Sequence, residues 1–160
     1  IENGQLVDFQ TFMTGEVFSV LTSYSILKES TDVADLANGL TRYRANFQEG
    51  VRASESPALL HELFAVRTNQ LFGKLTRPQN ALYLSGLLIG AELRTLFQKP
   101  DWRLVLCCDN NLVDFYTEAL TVLGLWQHTT RIDADHIRYA ATEGHLKIMN
   151  HQLTLAETAS

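Results

Sequence analysis

Tyr83-Leu84-Ser85-Gly86-Leu87-Leu88-Ile89-Gly90-Ala91-Glu92-Leu93 is almost continuously apolar, carries glycines at i and i+4, and ends on a lone carboxylate. Apolar groups fall all round a 3.6-residue wheel, the mark of a helix buried on most sides. Pro78 and Asn80 offer a start and Lys99-Pro100-Asp101 a stop, so the sequence predicts a central core helix over about residues 79–98. Glycine inside a helix costs about 1 kcal/mol relative to alanine, so Gly86 and Gly90 need a reason. Stacked one above the other, they open a groove for close packing against a sheet, or for a ligand. A bilayer span needs about 20 apolar residues, and this stretch is too short and too interrupted for one.

Upstream of it, Leu59, Leu60, Leu63, Phe64 and Leu71 form a helical stripe closed by Gly73, after a break at Ser54-Glu55-Ser56-Pro57. Leu36, Leu40, Tyr43, Phe47 and Val51 predict one amphipathic helix before that break. A further helix is expected from about Val17 to Lys28, capped by Thr14 with Glu16 in its first turn. Alternation over Gln5–Met13, after the Asn3-Gly4 turn, predicts a strand.

Downstream, the apolar run Arg103–Cys108 predicts a fully buried strand of a parallel sheet. Asp109-Asn110-Asn111 then turns into a helix from Leu112 to about Leu123, ended by Gly124. Trp126–Ile132 reads as a weaker strand. Asp133-Ala134-Asp135 caps a last helix to about Asn150, and residues 152–160 form a frayed tail. Strands interleaved with helices make a helix-rich α/β domain with a small mixed sheet over residues 1–151.

The 160 residues suffice for one domain with a real core, and 46% hydrophobic with 19% charged suits a globular chain. The formal net charge of -5 disfavours nucleic acid and anionic membranes as partners, since both select basic surfaces. Cys107 and Cys108 are adjacent, a poor geometry for a mutual disulfide, and read as buried reduced thiols of a cytoplasmic protein. The chain starts at Ile1 without Met, close to a strand, so a fragment lacking its leading strand is expected. An edge left open in that way invites pairing into a homodimer.

The motifs for chemistry are few. His61-Glu62 lacks the second histidine of a zinc motif, because position 65 is Ala; no Walker A or G-x-G-x-x-G sequence occurs. The apolar run around Cys107 and Cys108 raises a thiol pKa and argues against a nucleophile. Two junctions stand out, Met13-Thr14-Gly15-Glu16 and Cys108-Asp109-Asn110-Asn111. In open α/β sheets ligands bind where strands end and helix N–H groups are free, although each junction can equally be a capped turn. Arg67-Thr68 is a third candidate, with an ordinary surface ion pair as the plain alternative.

Taken together, Asp8-Phe9-Gln10-Thr11-Phe12-Met13-Thr14-Gly15-Glu16, Ser25-Ile26-Leu27, Phe47-Gln48-Glu49-Gly50-Val51, Leu63-Phe64-Ala65-Val66-Arg67-Thr68, Leu71-Phe72-Gly73 and Leu84-Ser85-Gly86-Leu87-Leu88-Ile89-Gly90-Ala91-Glu92 resemble the 2-dehydro-3-deoxygalactonokinases. The order and spacing match that family over about residues 4–93 and weaken after Leu104. The resemblance implies the C-terminal, nucleotide-side half of an actin-like (ribonuclease H-like) sugar kinase. It implies ATP and Mg²⁺ as cofactors and a small sugar acid, 2-dehydro-3-deoxy-D-galactonate, as the phosphoryl acceptor. On this chain it implies nucleotide binding by Thr14, Gly15, Ser85, Gly86, Asp109 and Asn110, and substrate or cleft contacts by Glu16 and Arg67. It places the first phosphate hairpin, most sugar contacts and the catalytic base outside the chain, so the piece alone is expected to be inactive.

The resemblance departs at Cys107-Cys108-Asp109-Asn110, where such kinases carry glycine to admit adenine. It departs again at Thr142-Glu143-Gly144-His145, where small apolar residues are expected. These departures sustain a rival expectation: a non-catalytic actin-like domain serving assembly or regulation.

Overall fold

The computed structural model describes residues 1, 5–98, 102–133, 136, 139, 140 and 142–150. The chain forms α1 (Thr14–Tyr24), α2 (Leu36–Arg42), α3 (Arg44–Ala53), α4 (Leu59–Leu71) and α5 (Arg77–Leu93), then β1 (Leu104–Leu106), α6 (Asn110–Val122) and β2 (Thr129–Arg131). Residues 142–150 are helical as well. No helix among the described residues is long and apolar enough to cross a membrane.

The organising helix is α5, buried at every position from Asn80 to Gly90. Its start lies at Arg77, two residues before the expected one. The Thr76 N–H donates to Gln79 Oε1 at 2.8 Å, and Pro78 occupies the first turn, where a missing N–H costs nothing. Asn80 is no start signal. Its buried amide donates to the carbonyls of Ser30 (3.1 Å) and Val66 (3.0 Å), tying α5 to α4 and to the turn Lys28–Ser30.

The glycines of α5 serve a helix crossing rather than a sheet. A Cβ on Gly86 would collide with the Phe47 carbonyl oxygen, and one on Gly50 with that of Tyr83. So α3 and α5 touch backbone to backbone. Around this contact Leu40, Phe47, Val51, Leu82, Ile89, Phe115 and Leu120 form one core cluster. Phe47 and Phe115 meet edge to face at 5.6 Å, which brings α6 onto α3. The opposite side of α5 packs Tyr83, Leu84, Leu87 and Leu88 with Val66 and Leu27.

Helices α4 and α6 end as the sequence predicts. Gly73 (φ 64°) and Gly124 (φ 72°) take left-handed conformations that other residues adopt at a cost. Lys74 N–H donates to Asn69 and Leu125 N–H to Leu120, completing the C-terminal motif at each.

Several expectations are corrected. Residues 6–13 form no strand; Leu6, Val7, Phe9, Phe12 and Met13 are exposed, because alternation makes a strand only where a partner supplies hydrogen bonds. Helix α1 begins at Thr14 and ends at Tyr24, where Ser25 Oγ donates to the Leu21 carbonyl and accepts from Leu27 N–H. The single helix expected over residues 36–51 is two, broken at Tyr43.

The sheet among the described residues is parallel, not mixed, with Leu104 opposite Thr129 and Leu106 opposite Arg131. Nor is β1 fully buried, since Val105 is 58% exposed. Two strands leave faces that α6 alone cannot cover, so Cys107 is exposed and Cys108 half-buried instead of both lying in the core. The expected cap at residues 133–135 and the tail 152–160 lie largely or wholly outside the described residues.

Candidate functional site

The start of α1, the middle of α5 and the first half of α6 border a half-open cavity of about 140 Å³. Thr14 and Gly15 contribute the first turn of α1, and Ser85, Leu88 and Ile89 one face of α5. Leu112, Phe115 and Tyr116 come from α6, with Phe18 and Leu36 completing the wall. The first turn of a helix leaves N–H groups without intrahelical partners, and two such turns, those of α1 and α6, border this cavity. The side chains of the walls are mostly apolar, with hydroxyls at Thr14, Ser85 and Tyr116.

Ser85 and Gly86 divide the labour of adjacent helix positions: Ser85 faces the cavity, while Gly86 faces α3 and packs beneath it. Behind the wall stands Glu92. The Thr14 hydroxyl donates to Glu92 Oε2, and the Tyr116 hydroxyl lies 3.1 Å and 3.2 Å from its two carboxylate oxygens. Burial, the Glu92 charge and this hydrogen bond all push the Tyr116 hydroxyl well above the usual tyrosine range.

Of the residues singled out from sequence, Thr14, Gly15 and Ser85 converge on the cavity. Asp109 holds the N-cap position of α6 without a side-chain capping bond and Asn110 opens the helix, so both sit at the helix end whose third residue, Leu112, lines the wall. Glu16 is exposed in the first turn of α1. Arg67 lies on α4, its guanidinium 3.4 Å from Ser30 Oγ, and is not among the lining residues. Thr14 does not cap α1; Met13 holds that position, and the Thr14 hydroxyl is committed to Glu92.

Sequence reading did not select Glu92 or Tyr116 as site residues. The available signal was Glu92 itself, a single carboxylate closing an apolar helix, but its partners lie 78 and 24 residues away along the chain.

No group of three His, Cys, Asp or Glu side chains among the described residues could hold a metal ion. A Mg²⁺ ion carried by substrate phosphates needs only one or two protein carboxylates. The cavity is also smaller than the roughly 300–1,000 Å³ that encloses a drug-sized ligand. A cavity of this size admits a fragment of such a ligand rather than the whole.

A family model described as 2-keto-3-deoxy-galactonokinase matches residues 1–142. The chain is 30% identical over 125 residues to a 2-dehydro-3-deoxygalactonokinase of Escherichia coli (strain K12), covering 77% of this chain and 41% of that protein. It is 40% identical over 88 residues to a probable 2-dehydro-3-deoxygalactonokinase of Rhizobium meliloti (strain 1021), covering 53% of this chain and 28% of that protein. The chain thus spans about two fifths, or less, of the curated relatives it matches.

Proposed function

The chain belongs to the 2-keto-3-deoxy-galactonokinase family, and from that premise we propose that it is the nucleotide-side part of an actin-like sugar kinase. The full-length protein moves the γ-phosphoryl group of ATP to the terminal hydroxyl of 2-dehydro-3-deoxy-D-galactonate, giving the 6-phosphate, in the cytoplasm. The single observation that carries this reading is the cavity between α1, α5 and α6. It brings Thr14 and Gly15 of α1 together with Ser85 of α5, beside the N-termini of α1 and α6.

In this reading Thr14, Gly15 and Ser85 contact the nucleotide, with Gly86 packing beneath. Asp109 and Asn110 form the adenosine-side loop. The apolar walls exclude water, which strengthens every polar contact inside. Glu16 and Arg67 face the sugar acid across the cleft, Arg67 matching its carboxylate. Mg²⁺ supplies charge neutralisation on the phosphates when bound, and phosphoryl transfer is accelerated chiefly by such positioning and charge stabilisation. The catalytic base and most sugar contacts come from parts of the full-length protein outside this chain, so the piece alone is inactive.

The cavity also favours this reading over a non-catalytic domain. Cys107-Cys108-Asp109-Asn110 lacks glycine, yet none of these four residues lines the cavity or fills it.

The test is thermal unfolding of the full-length protein with and without ATP·Mg²⁺. Wild type is expected to melt higher with nucleotide. Ser85→Leu, which fills the cavity, is expected to lose that rise. A folded wild-type protein that ignores ATP contradicts the proposal.

A further inference from the structure

We infer that Glu92 is a positioning residue for the nucleotide pocket: from behind the wall it fixes the hydroxyls of Thr14 and Tyr116, and through them the start of α1 and the middle of α6. The inference rests on the nucleotide reading above and adds a residue to it. Glu92 does not line the cavity, but both of its hydroxyl partners do. The three groups come from three different helices, so the carboxylate is the point at which α1, α5 and α6 are joined beside the cavity.

Packing alone does not account for a carboxylate here. Glu92 is half-buried at the C-terminal end of α5, where the helix dipole opposes negative charge. Among the described residues it meets no cation within ion-pair distance. The nearest arginine along the chain, Arg94, is engaged elsewhere, with Nε 2.8 Å from Ser54 Oγ and its guanidinium 3.9 Å from Glu55. The charge is held instead by two hydroxyl donors. Glutamate at this position therefore acts through the geometry it imposes on Thr14 and Tyr116.

That geometry also sets polarity. A hydroxyl has one proton and two lone pairs. With both protons turned to Glu92, the Thr14 and Tyr116 oxygens can meet a ligand only as acceptors. They suit a ribose hydroxyl or an exocyclic amine, whereas an anionic phosphate would find its donors in the backbone N–H groups of the helix ends.

Glu92→Gln keeps the shape and replaces one acceptor oxygen by a donor, so it reverses one of the two hydroxyls. In the full-length protein, ATP is expected to bind roughly tenfold more weakly, as loss of one charge-assisted hydrogen bond implies. ATP affinity is read by calorimetry, separately from turnover. In kinetics the KM for ATP should rise by a similar factor while the KM for the sugar acid stays put, a split that general loosening of the fold does not produce. Tyr116→Phe and Thr14→Val each remove one donor and give smaller losses that fail to add to Glu92→Gln. They also serve if Glu92→Gln does not fold. Wild-type ATP affinity in all the folded variants overturns the inference alone. A wild-type protein that binds no ATP overturns the nucleotide reading and the inference with it.

Discussion

Gly86→Ala tests the backbone contact on which the fold is built. The added methyl would collide with the Phe47 carbonyl oxygen and stand 3.1 Å from the Val51 nitrogen. Both obstacles are backbone of α3, so no side-chain rotation relieves them, and the two helices must part. Overpacking of a filled core costs about 1–3 kcal/mol, and a backbone obstacle belongs at the upper end. Alanine returns about 1 kcal/mol through helix propensity. The net expectation is a loss of about 2 kcal/mol. With a urea m-value of about 2 kcal/mol/M, the midpoint should fall by about 1 M. Helical circular dichroism followed through urea titration measures it. Gly144→Ala, in the helical stretch 142–150, is the control: its methyl meets nothing within 4 Å, and stability should hold or rise. Gly50→Ala, which jams the same crossing from the α3 side, should lower the midpoint similarly, and the double variant should lose less than the sum. An unchanged or raised midpoint for Gly86→Ala refutes the backbone contact.

Other outcomes follow from single groups. Phe47→Ala removes a fully buried ring stacked edge-on against Phe115 and should cost about 3–5 kcal/mol in the same titration. Asn80→Ala leaves the Ser30 and Val66 carbonyls buried without their donor and should cost about 1–3 kcal/mol. Burial, with Glu62 and Glu49 adding to it, pushes the Tyr83 hydroxyl from its ordinary 10.0 up to about 12. The folded state then holds that proton longer than the unfolded state, so the stabilisation is complete below pH 10 and declines as pH rises toward 12. Urea midpoints across this range check the slope, and a midpoint independent of pH there counts against it. A thiol reagent should modify exposed Cys107 quickly and half-buried Cys108, whose pKa burial raises, slowly; equal rates in the folded protein would count against the placement of the two thiols.

The parts legible in the sequence were those fixed by local chemistry. The apolar wheel of residues 83–93 places α5 at the centre, Gly73 and Gly124 stop their helices, and the runs around residues 104–106 and 129–131 are strands. What failed depended on partners distant along the chain. Val7, Phe9 and Met13 alternate like a strand, but alternation cannot say whether a neighbour exists to pair with. The glycines of α5 announced a close approach without saying that its other side would be Phe47 and Val51. Glu92 was visible as a lone carboxylate, yet its role depends on Thr14 and Tyr116, which only the fold brings to it. The family match extends through residue 142, well past the point where the resemblance of individual stretches fades. The pairing of β1 with β2 around α6 is thus part of the matched region.

The proposed kinase activity is measured as ATP-dependent phosphorylation of 2-dehydro-3-deoxy-D-galactonate by the full-length protein with Mg²⁺. Turnover to the 6-phosphate is the predicted result. A folded full-length protein that gives no turnover, and whose melting temperature ATP does not raise, contradicts a kinase and favours a non-catalytic domain.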